Sequence, residues 1–236
     1  MIRALAPLPL AIALIASLSA CAAGPQFPRD RNFRQGANPS AAIAAELAFA
    51  QLAQAKGQWT AFRETATGDA VMFVPQAVQA QAWLKNRPNP ASAVTWQPQQ
   101  VWSSCDGSIA VTRGAWQNQG TAGIFTTVWQ RQKDGGYKWV LDQGEAVTAA
   151  QPVPEMIAAK VATCKPGAPA VITPGAAGDR RSGASADGTL RWHTAVRADC
   201  GRDYIVSSWN GTRFDEVYSR SFAAPPATQR PAGGCA

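Results

Sequence analysis

Residues 68–75 read Gly-Asp-Ala-Val-Met-Phe-Val-Pro, and the hydrophobic period of the chain changes there. Before this stretch apolar residues recur every three or four positions, as on a helix; after it they alternate, as on a strand. Asp69 to Pro75 reads as a short buried strand, apolar throughout and closed by a proline. On its N-terminal side, Asn38-Pro39 joins an N-cap to a proline at the first helical position. Ile43, Leu47, Ala50 and Ala53 then share a helical spacing, which predicts a helix over 39–56 ended by Gly57. A shorter helix over 58–66 carries Trp59 and Phe62 and is closed by Gly68. Glu64 and Asp69, flanking that glycine, read as cap or turn residues.

On the C-terminal side, Gln79 to Asn86, with Trp83 and Leu84, reads as a turn or two of helix. Four longer β segments follow, at 94–104, 108–117, 123–132 and 137–144. Asp106-Gly107 and Asp134-Gly135-Gly136 supply hairpin turns between the first and last pairs. Trp96, Trp102, Trp116, Trp129 and Trp139 give these strands their bulk, and core and cross-strand packing explains them better than a carbohydrate platform. Further on, Pro154 to Thr163 reads as one more helix, with Met156, Ile157 and Val161 apolar. Residues 165–188, rich in Pro, Gly, Ala and Ser, read as a linker between two folding units. Three strands are expected after it, at 189–198, 203–209 and 213–221, the last two joined by Asn210-Gly211. A meander of that size is marginal alone and is expected to lean on the main domain.

The N-terminus carries a different signal. Arg3 precedes an uncharged run from Ala4 to Leu18, and Leu18-Ser19-Ala20-Cys21 follows. This segment resembles a secretory signal ending in the lipobox of bacterial lipoproteins. The resemblance implies a signal peptide over 1–20, a lipid on the Cys21 sulfur, and a tether over 21–38. The expected location is the periplasmic face of the cell envelope, at the outer membrane rather than the inner, because Ala22 is not an aspartate. The membrane is then a partner through the lipid anchor. The formal charge of +7 is scattered along the chain, so the clustered basic face of a nucleic-acid binder is not expected. Beyond Cys21 four cysteines remain, an even count that favours two disulfides in an oxidising compartment. They are Cys105, Cys164, Cys200 and Cys235, and sequence does not choose among the three possible pairings. Cys105 with Cys164 is preferred, because Cys200 with Cys235 would then tie down the tail.

The order of elements acquires a family likeness through particular residues. Phe49-Ala50, Gly57, Ala61-Phe62 and the run Gly68 to Pro75 resemble the opening of SnoaL-like domains, of the nuclear transport factor two and ketosteroid isomerase superfamily. Thr126 to Gln132 and Gly136 to Asp142 resemble that family's last hairpin, so the likeness spans 40–146. It implies an α+β fold: a cone-shaped, curved antiparallel sheet with N-terminal helices over 39–146. The helix and linker of 147–188, a small C-terminal β meander over 189–222 and a tail over 223–236 lie outside it. It also implies a pocket, lined here by Phe49, Phe62, Phe73, Trp83, Trp129 and Trp139, and a homodimer formed through the outer sheet face.

The chemistry carried over is negative. Family isomerases place an aspartate base immediately before a proline, and this chain has Val74 there, which cannot take a proton. His193, the only histidine, falls on a strand beyond the linker, where a surface role is expected. Asp142 and Glu145 are the best acidic candidates. Simple alternation puts Asp142 with Lys138 and Val140 on a solvent face, opposite Trp139 and Leu141, and so favours a salt bridge to Lys138 over catalysis. No phosphate loop, HExxH or GxSxG is present, and neither a metal nor a cofactor is expected. The favoured reading is a membrane-anchored, non-catalytic module binding a small apolar ligand or an envelope partner. The alternative is an isomerase- or dehydratase-type enzyme with an atypical acid. A cavity with a convergent acid would favour the enzyme.

Overall fold

A proline at the start and a glycine at the end fix the long helix. In a computed structural model of the chain, which describes residues 36–149, 151–168, 180–230 and 235, α1 spans Pro39–Lys56. The Asn38 carboxamide accepts the Ala41 N–H at 3.2 Å, and Gly57 follows at φ +96°. The buried face of α1 is Ala42, Glu46, Phe49 and Ala53; it shares Ala53 with the expected Ile43–Leu47–Ala50–Ala53 stripe but is otherwise rotated from it. α2 (Gln58–Thr65) ends before Gly68, because β1 (Ala66–Phe73) takes Gly68 and Asp69 into the strand. Glu64 sits on α2 beside Lys56 at 3.4 Å. β2 (Ala77–Gln79) folds back on β1, and α3 (Ala80–Leu84) follows.

The long strands are β3 (Thr95–Ser103), β4 (Ile109–Asn118), β5 (Thr121–Arg131) and β6 (Tyr137–Val147), paired antiparallel in sequence. The segment expected as a helix over 154–163 instead contains β7 (Ala158–Val161), which runs parallel to β3. Of the apolar residues expected on a helix face, Ile157 reaches the inner core but Met156 and Val161 are exposed, while the edge of β3 offers unpaired backbone groups. The sheet order is β2-β1-β6-β5-β4-β3-β7, with parallel pairs β1/β6 and β3/β7, so the sheet is mixed rather than wholly antiparallel. It curves around α1, which packs against β3, β4 and β6. The inner core gathers Phe49, Met72, Leu84, Val101, Trp129 and Trp139.

The C-terminal unit has four strands, not three. β8 (Arg180–Ala184) lies in the stretch expected as linker, and pairs with β9 (Leu190–Val196). Gly183 makes this possible, since a Cβ there would meet the Trp192 indole at 2.6 Å. Residues 169–179 of the expected linker lie outside the described residues, as do the expected signal peptide, Cys21 and most of the expected tether. β10 (Arg202–Trp209) and β11 (Phe214–Phe222) complete an order β11-β10-β9-β8. Leu190, Tyr204, Val206 and Phe222 of this sheet pack on Phe73, Trp102, Val111, Val128 and Leu141 of the first. The outer face of the curved sheet, through which the family likeness implied a homodimer, is thus covered by the chain's own C-terminus.

Two copies of one turn lock the sheets together. Ser104-Cys105-Asp106-Gly107-Ser108-Ile109 and Ser185-Ala186-Asp187-Gly188-Thr189-Leu190 share a pattern that the sequence reading passed over. In each, the first serine's backbone N–H donates to the carbonyl of the sixth residue, at 3.0 and 2.9 Å. The copies also exchange bonds. The Asp106 N–H donates to Asp187 Oδ2 at 2.9 Å, and the Asp187 N–H donates to Asp106 Oδ2 at 3.0 Å. Cys105, within the first turn, is bonded to Cys164; Cys200, beyond the other end of β9, is bonded to Cys235.

Candidate functional site

The site is set by an irregularity in β6. Val128 pairs with Leu141 but Trp129 pairs with Trp139, so β6 carries one extra residue at Val140. The bulge puts Val140 and Leu141 both toward the second sheet and returns Asp142 to the inner face, with Trp139. Asp142 is therefore not on a solvent face beside Lys138, as alternation suggested; it lies opposite Thr127 on β5 and Met72 on β1. Its Oδ2 accepts the Thr127 hydroxyl at 2.9 Å. Burial, opposed by this hydrogen bond and reinforced by the Glu46 carboxyl, raises Asp142 from 3.8 to about 7.

Asp142 borders a cavity of about 370 Å³. Phe49, Trp59, Phe62, Trp96, Trp116 and Phe125 supply aromatic walls, with Met72 and Val74 between them. Of the expected lining, Phe49, Phe62 and Phe73 border this cavity; Trp83, Trp129 and Trp139 do not. Trp129 and Trp139 are packed solid within the core, and Trp83 lies against Trp59 under the Arg87 guanidinium. Val74, just past the end of β1, borders the cavity, so the position where the resemblance implied a base carries an apolar wall. Trp116 lies flat because Gly123 leaves it room: a Cβ there would meet the indole at 2.0 Å. The indole N–H donates to the Ile124 carbonyl at 3.1 Å.

Beneath the walls is a residue the sequence reading missed. Glu46 of α1 is fully buried, and three donors converge on it. Trp96 Nε1 donates to Oε1 at 2.7 Å; Thr112 Oγ1 and Trp129 Nε1 donate to Oε2 at 2.6 and 2.9 Å. Burial raises its pKa, and these donors oppose the rise. The signal was present: Glu46 is the only acid on the Ala42–Phe49–Ala53 face.

Glu145 stands at the cavity rim, ion-paired with Arg220 of β11. One residue pair away, Gln143 accepts the Arg202 Nε–H at 2.9 Å, from a guanidinium stacked between Phe73 and Phe222. Both arginines hold β6 from the second sheet. His193 is exposed on β9, away from the cavity lining. Among the described residues no cluster of three or more His, Cys, Asp or Glu could hold a metal, and no helix is long and apolar enough to cross a membrane.

Helices, strand, short helix and long curved strands make the first 110 or so described residues a cone-shaped α+β unit. Solved structures with a similar layout include a ketosteroid isomerase-like protein from Erwinia carotovora atroseptica, 16% identical over 47% of this chain and 93% of its own, at a TM-score of 0.35. An NTF-2 like protein of unknown function from Silicibacter pomeroyi is 16% identical over 47% of this chain and 99% of its own, at 0.35. The S. rosetta CaMKII hub is 17% identical over 47% and 97%, at 0.37. The similarity thus reaches about half of this chain. No protein-family model and no curated protein matches it.

Proposed function

We propose that this chain binds a small, mainly apolar molecule in the cone, with the ligand's one polar group set against Asp142. The observation that carries this reading is the cavity itself, aromatic on its walls and ending on a single carboxyl without an ion-pair partner. Its volume falls within the range of about 300–1,000 Å³ usual for small-molecule sites. The lipobox-like segment ending at Cys21 supports a lipid-anchored protein of the cell envelope, so the ligand would be met at a membrane surface. Titration of intrinsic tryptophan fluorescence with a naphthyl ketone, alcohol and amine tests the pocket. Saturable binding of at least one probe, lost when Val74→Trp fills the cavity, is expected; no saturable binding by any of them refutes the reading.

One observation favours a second reading. An acid titrating near neutrality in an aromatic pocket suits general acid–base catalysis, so Asp142 could serve an isomerase- or dehydratase-type reaction in place of the missing base at Val74. Turnover of an enolisable ketone that disappears in Asp142→Asn would support it.

A further inference from the structure

We propose that the ligand is an organic cation, a protonated amine on an apolar ring body, with its ammonium held by Asp142 among the aromatic walls. This rests on the pocket reading above and names the ligand class. The argument is one of charge balance inside the cone. No lysine, arginine or histidine lines the cavity, whereas Asp142 and Glu145 do. Glu145 is already neutralised by Arg220. Arg202, the other cation reaching β6, donates to Gln143 from the far side of the sheet. Among the described residues no ion pair involves Asp142, whose hydrogen-bond partner is the neutral Thr127 hydroxyl. Behind the wall stands a second carboxyl, Glu46, met by two indoles and a hydroxyl rather than by a cation.

A carboxylate set among apolar walls and lacking a counter-charge is costly unless something supplies one. An ammonium entering the cavity supplies it, and the lining indoles of Trp59, Trp96 and Trp116 offer cation–π attraction. A neutral polar ligand would leave the carboxylate uncompensated. An anion would meet carboxyls and no cation.

The test is a charge series on one skeleton: 1-naphthylmethylamine, 1-naphthylmethanol and 1-naphthoic acid, titrated into the full chain by calorimetry. At about pH 8 the amine should bind about tenfold or more tighter than the alcohol, and the acid weakest. The amine stays protonated from about pH 5.5 to 8.5, so its affinity should fall as pH drops through the Asp142 range, while that of the alcohol should not fall. The other charged groups about Asp142 are few. α1 brings Glu46; β6 itself carries Glu145 and exposed Lys138; the second sheet brings Arg202 and Arg220. β1 and β5 face it with uncharged Met72 and Thr127. Asp142→Asn should bring amine and alcohol to similar affinities. Equal affinities in the unaltered chain, or the acid binding tightest, would overturn the cation assignment and leave the pocket standing. Binding of none of the three would overturn both.

Discussion

Replacing Asp142 by asparagine keeps the side-chain shape and the acceptor for the Thr127 hydroxyl while removing the titrating proton. In the folded chain burial holds this carboxyl near 7, against an ordinary 3.8. A raised carboxyl pKa means that the unfolded chain releases the proton first as pH rises. Stability contributed by the protonated form is therefore intact at pH values below 3.8 and is lost progressively up to about pH 7. At 1.36 kcal/mol per pH unit the gap is worth about 4 kcal/mol; water reaching the group from the cavity reduces the expected figure to about 2–3 kcal/mol. Asp142→Asn should thus be more stable than the unaltered chain by that amount at about pH 8, and close to it at about pH 4. Urea unfolding of both proteins at several pH values, with disulfides intact, measures the difference. A variant equally stable or less stable at the higher pH would refute the account of Asp142 as an enclosed, uncompensated acid. The outcome bears on the proposed pocket as well, because a cost in stability is the usual mark of a group kept for function.

Two further outcomes follow from named contacts, and a third from the N-terminal sequence. Glu46→Gln leaves one acceptor for three donors; Trp129 can fall back on Thr112 at 3.1 Å, so the expected loss is about 1–3 kcal/mol by urea unfolding, with altered Trp96 fluorescence. Opening Cys105–Cys164 by a double serine substitution releases a loop of 59 residues, for an expected loss of about 4 kcal/mol in the chain-entropy model, and thiol counting on the unreduced protein should find no free thiol among Cys105, Cys164, Cys200 and Cys235. Cys21→Ser should release the protein from the membrane fraction to the soluble one, and an unaltered protein already soluble and free of acyl chains would refute lipidation.

Much of the fold was legible in the residues because the signals are local. A cap and a proline fix one end of α1, a glycine fixes the other, and DG or NG pairs fix the hairpins β3/β4 and β10/β11. What failed was non-local. β7 is a strand only because the edge of β3 accepts it, and β8 only because β9 lies beside it. Neither partner can be seen from within the segment. The repeated Ser-x-Asp-Gly turn was readable, but its meaning, two turns exchanging reciprocal bonds, needed both in space.

By itself the sequence determined the helix ends, the alternation of the long strands, the absence of a base at position 74 and the supply of aromatic residues. These depend on backbone sterics and hydrophobic period, which act over a few residues. The tertiary structure alone decided which way the acids face. One extra residue at Val140 reverses the phase of β6, moving Asp142 from the solvent face to the cavity. The rotation of α1 puts Glu46 rather than Leu47 beneath the walls, because helix packing, not the apolar stripe alone, selects the buried face. Burial then gives each carboxyl its raised affinity for a proton, a property of the surroundings that no residue carries along the chain.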